Sequence, residues 1–141
     1  MTQTLNGQDI GQAHYATRAL LERALTDAGI DFPQSVTLNL LGGNGSPMTS
    51  EDLRARLVHG LKITEDDARA VEAGVRARGL VVGAEAGLVL TPAGSAVFHQ
   101  VAASIAEITE NLYGGLPTEE LITARRVLST VTARANAALA G

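Results

Sequence analysis

Apolar residues recur at three- and four-residue spacing over most of this chain, and glycines, prolines and capping residues punctuate them. From about Gln8 to Ala28, the residues Ile10, Ala13, Thr17, Leu20, Leu21, Ala24, Leu25 and Ala28 share one face. That spacing predicts an amphipathic helix, which Gly29 ends. Asp31-Phe32-Pro33 opens a shorter helix through Leu41, with Pro33 in its first turn and Val36, Leu40 and Leu41 on its apolar side. The run from Gly42 to Pro47 reads as a flexible loop. A phosphate cradle would need a following Gly-Lys-Ser/Thr, and Pro47-Met48 stands there instead. Thr49 with Asp52, and Thr64 with Asp67, are capping pairs that start helices to about His59 and Arg78. Beyond Gly79, Leu80-Val81-Val82 and Leu88-Val89-Leu90 are β-prone runs joined by a glycine-bounded tip, Gly83 to Gly87, which predicts a small hairpin. Thr91-Pro92 starts a further helix with Val97, Val101, Ile105, Ile108 and Leu112 on one side. Gly114-Gly115 breaks it. A last helix begins near Pro117-Thr118, with Glu119 and Glu120 favoured by the helix dipole, and carries Leu121, Ala124, Leu128, Val131, Ala135 and Leu139.

The fold class this predicts is mostly α with one β-hairpin. The centre, about Thr49 to Leu90, is two capped helices and a two-stranded ribbon, the order of a winged helix-turn-helix. The flanking helices carry long apolar stripes that so small a centre cannot cover. Pairing them with those of a second copy solves this with one self-complementary patch, so a homodimer is expected.

Composition narrows the rest. The chain has 141 residues and is 45% hydrophobic but only 3% aromatic, so one domain with an aliphatic core is expected. With no cysteine, a disulfide framework, a thiolate nucleophile and Cys-based zinc sites are excluded. The net charge of −4 argues against a basic protein that coats nucleic acid but leaves room for a local contact patch. Ten of the eleven basic residues are Arg, Lys62 being the exception, which reads as coding composition. No apolar run approaches the roughly 18 residues that span a bilayer, and Met1 to Asp9 lacks the features of a signal peptide. A cytoplasmic location without membrane contact is therefore expected, and the glycosylation triplet Asn44-Gly45-Ser46 reads as chance.

The chain resembles the MarR family of winged-helix regulators. The resemblance lies in Asp31-Phe32-Pro33-Gln34-Ser35-Val36, Thr49-Ser50-Glu51-Asp52-Leu53, Val75-Arg76-Ala77-Arg78-Gly79-Leu80-Val81 and Leu88-Val89-Leu90-Thr91-Pro92-Ala93-Gly94. These are similar to that family's Pro-Gln helix, its Glu-Leu-Ala helix, the end of its recognition helix and the exit of its wing. Glu119-Glu120-Leu121 and Val127-Leu128 are similar to its terminal dimerisation helix. The resemblance implies a single domain over 1–141. Residues 32–91 would form a winged helix-turn-helix core, and 8–28 and 92–140 the dimerisation helices. It further implies a homodimeric regulator of double-stranded DNA, repressor or activator, released by small aromatic or phenolic ligands that enter beside the first helix.

Three departures stand out. The stretch from Leu57 to Ile63 is longer than that family's tight turn. The reading helix starts with Glu65, Asp66 and Asp67, which suit a helix N-terminus but oppose phosphates. Its pattern turns Ala68, Val71 and Val75 inward and Asp66, Arg69, Ala70, Ala73 and Ala77 outward. The wing tip holds Glu85 and no base, and Val82 stands where the family often has Arg. Between Thr49 and Thr91 six bases (Arg54, Arg56, Lys62, Arg69, Arg76, Arg78) face seven acids (Glu51, Asp52, Glu65, Asp66, Asp67, Glu72, Glu85). The candidate DNA contacts are Arg54, Arg56, Thr64, Arg69, Ala70, Ala73, Arg76 and Arg78. A winged-helix dimer that senses a small molecule or a protein without binding DNA stays open beside this reading.

An enzyme is not expected, nor a cofactor or metal. His14, His59 and His99 fall in three different elements, and the adjacent carboxylates Asp66-Asp67 and Glu119-Glu120 point about 100° apart on their helices. The candidate ligand-binding residues are His14, Tyr15, Arg18 and Phe32, because an Arg beside an aromatic ring suits an aromatic carboxylate. Two structural roles compete with that reading: His14 packed on the apolar face, and Arg18 paired with Glu22 four residues on.

Overall fold

The computed structural model describes residues 3–43 and 47–141; the Asn44-Gly45-Ser46 triplet and the centre of the 42–47 loop lie outside them. In chain order the elements are α1 (Gly7–Ala28), α2 (Phe32–Gly43), α3 (Ser50–Leu61), α4 (Glu65–Ala77), β1 (Val81–Ala84), β2 (Gly87–Leu90), α5 (Pro92–Tyr113) and α6 (Thr118–Ala140).

Local chemistry sets the boundaries. Asn6 caps α1, its side chain accepting from the Gln8 and Asp9 amides while the Asp9 carboxylate accepts from the Asn6 amide. Gly29 closes the helix at φ 78°, a left-handed conformation suited to glycine. Asp31 and Gln34 cap α2 reciprocally: the Gln34 amide donates to the Asp31 carboxylate at 2.9 Å and the Asp31 amide to the Gln34 side chain at 3.1 Å. Thr49 and Thr64 accept from the Asp52 and Asp67 amides at 3.1 and 3.0 Å, as their spacing predicts. Helix α3 continues to Leu61, so the supposedly long 57–63 linker is mostly helical. Only Lys62, Ile63 and Thr64 separate α3 from α4, and Lys62 turns the chain at φ 58°. The connection is tight because α3 runs on past His59.

β1 and β2 pair antiparallel from Val81 opposite Leu90 to Ala84 opposite Gly87. The tip is therefore two residues, Glu85 and Ala86, rather than the five-residue span expected, because Gly83, Ala84 and Gly87 join the ladder. Met48 adds a one-residue bridge to the outer edge of β2, exchanging backbone hydrogen bonds with Leu88 at 3.3 and 2.7 Å. A Cβ on Gly87 would lie 2.8 Å from the Met48 backbone, so a glycine permits this approach.

Two parts divide the chain, Met1–Ile108 and Thr109–Gly141. The core of the first is aliphatic: Leu25, Leu38, Leu53, Leu57, Val75, Val81 and Leu88 are buried, and α2 packs on α1, α3, α4 and β2. Thr91 ties α5 to this core, its hydroxyl donating to the Gly79 carbonyl at 2.6 Å and accepting from the Gly94 amide at 3.0 Å. In the second part α6 has no buried residue at all, and Ile122, Leu128, Val131 and Leu139 lie open. Among the described residues no helix is long and apolar enough to cross a membrane.

Candidate nucleic-acid interface and ligand cavity

The helix-turn-helix is held by one buried carboxylate. Glu72, on the inner side of α4, is 8% exposed. It accepts from Arg54 Nη1 at 3.1 Å, from the Ser50 hydroxyl at 2.9 Å and from Arg76 Nη1 at 3.3 Å. Arg54 also reaches Glu65 at 3.2 Å. The bonds to Ser50 and Arg54 tie α3 to α4, and the pairing satisfies a charge that burial alone would disfavour. In the charge count between Thr49 and Thr91, Glu72 is one of seven acids. The residue instead neutralises two of the counted arginines, a pairing signalled in the chain only by the Glu72–Arg76 spacing.

The eight residues singled out for DNA contact do not form one stripe. Thr64 is exposed at the N-cap of α4 and Arg69, Ala70 and Ala73 along it, with Ala68 and Val75 buried on the side opposite those three as the pattern predicts. Arg69 approaches Glu65 only at 3.7 Å and its side chain is 63% exposed. Arg76 is half-exposed and leans on Glu72. Arg56 is exposed on α3, with no partner among the described residues. Arg54 is half-buried in the Glu72 cluster. Arg78 turns to the α1–α2 corner, where its guanidinium donates to the Gly29 carbonyl and reaches the Gln34 side chain at 3.5 Å. The wing presents Val82, Gly83, Ala84, Glu85 and Ala86 to solvent, with no cation between Val81 and Leu90.

A cavity of about 180 Å³ lies within the first part, between α1, α2 and α5. Leu21, Phe32, Val36, Phe98, Val101 and Ile105 make its walls apolar, and Ser35 and Asn39 are its polar members besides. Of the four residues expected to bind a ligand, only Phe32 lines it. Arg18 lies outside the lining, its guanidinium 4.7 Å above the Phe32 ring and its Nε bonded to Glu22 at 3.0 Å. His14 and Tyr15 stack edge-on with centroids 5.4 Å apart, both exposed and both outside the lining. Apolar periodicity placed Val36 and Val101 on inner faces but could not show that three such faces leave a void. Among the described residues no group of three His, Asp or Glu side chains could hold a metal ion.

The described geometry is that of a winged helix-turn-helix flanked by long helices. No protein-family model matches the sequence, and no curated protein sequence matches it. Solved structures do. Ligand-free NadR superposes with a TM-score of 0.78 at 21% identity, covering 98% of this chain and all of that one. The transcriptional regulator PA3341 gives 0.74 at 23%, covering 91% and 96%. The Mycobacterium tuberculosis MarR family protein Rv2887 in complex with DNA gives 0.68 at 19%, covering 92% and 98%. At these identities the likeness establishes the fold.

Proposed function

We propose that this chain is a MarR-family transcriptional regulator that binds duplex DNA as a homodimer and responds to a small aromatic or phenolic ligand. The observation that carries the reading is the helix-turn-helix itself: α4 offers Arg69, Ala70 and Ala73 on one exposed side, with Thr64 at its N-cap, and is clamped to α3 through its buried Glu72. A similar fold holds DNA in the Rv2887 complex and 4-hydroxyphenylacetate in NadR. On this reading the exposed α4 residues face a major groove, Arg56 and Arg76 reach phosphates, and Arg54 and Arg78 hold the reader in place. The dimer would form through 8–28 and 92–140. The open apolar side chains of α6 support that, since a second copy would cover them.

The test is retention of duplex DNA from the region upstream of its own gene, titrated with salt. The reading predicts tight retention at low salt and a steep linear fall of log affinity with log salt. A folded dimer that retains no duplex at low salt would overturn it in favour of a sensor or interaction module.

A further inference from the structure

We infer that Arg76 serves as the cation of the wing: its guanidinium, carried by α4, sits in the space over Gly83 of β1 and is held there for a backbone phosphate of the duplex, with Gly83 as its positioning residue. The inference rests on the duplex-binding part of the function proposed above and adds how a positive charge is placed at the wing.

The wing itself holds Glu85 and no base between Val81 and Leu90. Its pairing defines an inner face. Gly83 lies opposite Leu88, and directly opposed residues of an antiparallel pair share a face. Leu88 is buried, as is Val81 two residues before Gly83 on the same side of β1. A Cβ on Gly83 would therefore point inward, and it would lie 3.4 Å from Arg76 Nη2. Among the described residues nothing else beyond its chain neighbours comes within 4 Å. The guanidinium thus occupies the place that a side chain at Gly83 would need. The backbone there does not require glycine, because Gly83 is outside the left-handed region. A glycine weakens a strand interior, and here it admits a side chain from the neighbouring helix.

Charge balance leaves this guanidinium available. Arg54, Arg69 and Arg76 share Glu65 and Glu72 in one linked group, three positive charges against two negative. Arg54 is the shielded member, and the side chains of Arg69 and Arg76 are open to solvent. The Glu72 carboxylate accepts from Arg76 Nη1 at 3.3 Å and so fixes one arm of the fork, while Nη2 rests over Gly83. A guanidinium has five N–H donors, and those left over suit a phosphate. Arg76 also follows Arg69 and Ala73 at helical spacing, so the exposed stripe of α4 continues through it to the wing.

Salt-titrated fluorescence anisotropy of the full-length protein on labelled upstream duplex tests this with Arg76→Ala, Gly83→Val and the two combined. Arg76→Ala is expected to weaken binding about five- to tenfold at about 0.1 M salt and to lower the salt slope by about one. Gly83→Val should lose as much, because its methyl groups take the place of the guanidinium. Its thermal unfolding should stay at the parent value or rise, since valine suits a strand. The combined variant should bind no worse than either alone. In the DNA-free protein the Arg76 Nε–Hε NMR signal should shift on Gly83→Val. Parent-level binding by Gly83→Val, additive losses, an unshifted Arg76 signal, or a loss of affinity that comes with a fall in unfolding temperature would overturn the inference. The regulator reading would survive each of these as long as the parent protein retains the duplex. A parent protein that retains none at low salt would overturn both.

Discussion

Arg54 of α3 and Glu72 of α4 meet at 3.1 Å across the helix-turn-helix, with the Glu72 side chain 10% exposed and that of Arg54 22%. The pair is shielded enough to matter more than an exposed ion pair, and Ser50 and Arg76 complete the coordination of the same carboxylate. Removing the carboxylate leaves Arg54 with only the exposed Glu65. Glu72→Ala is expected to cost about 2 kcal/mol in urea denaturation at fixed protein concentration. A double-mutant cycle with Arg54→Ala should return a coupling of about 1 kcal/mol or more. Additive effects would mean that the pair does not hold the two helices together.

Gly94 and Gly60 should respond in opposite directions. A Cβ on Gly94 would lie 1.9 Å from the Leu80 carbonyl oxygen, where the start of α5 presses on the end of the reader. Gly94→Ala is expected to cost about 3 kcal/mol or more, or to yield insoluble protein. Gly60 lies within α3 and a Cβ there meets nothing within 4 Å. Gly60→Ala should stabilise by about 0.5–1 kcal/mol. Thermal unfolding of the two variants against the parent protein checks both signs.

The charge of the reading surface sets a third expectation. Arg69 is the most exposed of the ion-paired arginines on α4, and Glu85 stands at the wing tip. Arg69→Ala should weaken duplex binding and lower the salt slope by about one. Glu85→Arg should strengthen binding and raise the slope by a similar amount, because it replaces a repelled acid with a base. Salt-dependent fluorescence anisotropy with a labelled duplex reads both changes.

The second copy is tested on α6. Leu128 and Val131 are 41% and 44% exposed and lie on the helix's apolar stripe. Light scattering of the parent protein at micromolar concentration should give twice the 14.6 kDa chain mass. Leu128→Glu with Val131→Glu should give the single-chain mass and weaken DNA binding, since each half-site alone is held by fewer contacts.

Much of this fold was legible because its boundaries rest on local chemistry. Thr64 with Asp67 and Thr91 with Pro92 announce helix starts, and Gly29 announces a stop, through interactions spanning three or four residues. The wing was misjudged at its tip because glycine and alanine carry little strand signal, yet the ladder from Val81 to Leu90 carries Gly83 and Ala84 along. The site was harder to read. Arg54 and Glu72 are 18 positions apart and Arg78 and Gly29 are 49 apart, so a tally of charges could not show which arginines were engaged. The cavity was invisible for a related reason. Leu21, Val36 and Ile105 each fall on an apolar helix face, and a void is a property of how three helices fail to fill the space between them.

Hydroxyl-radical footprinting on the upstream duplex tests the central claim most directly. A dimer that presents two copies of α4 should protect two patches related by a twofold axis, centred about 10–10.5 base pairs apart or a multiple of that spacing. A single asymmetric patch, or uniform cleavage at protein concentrations where the dimer is fully formed, would contradict it.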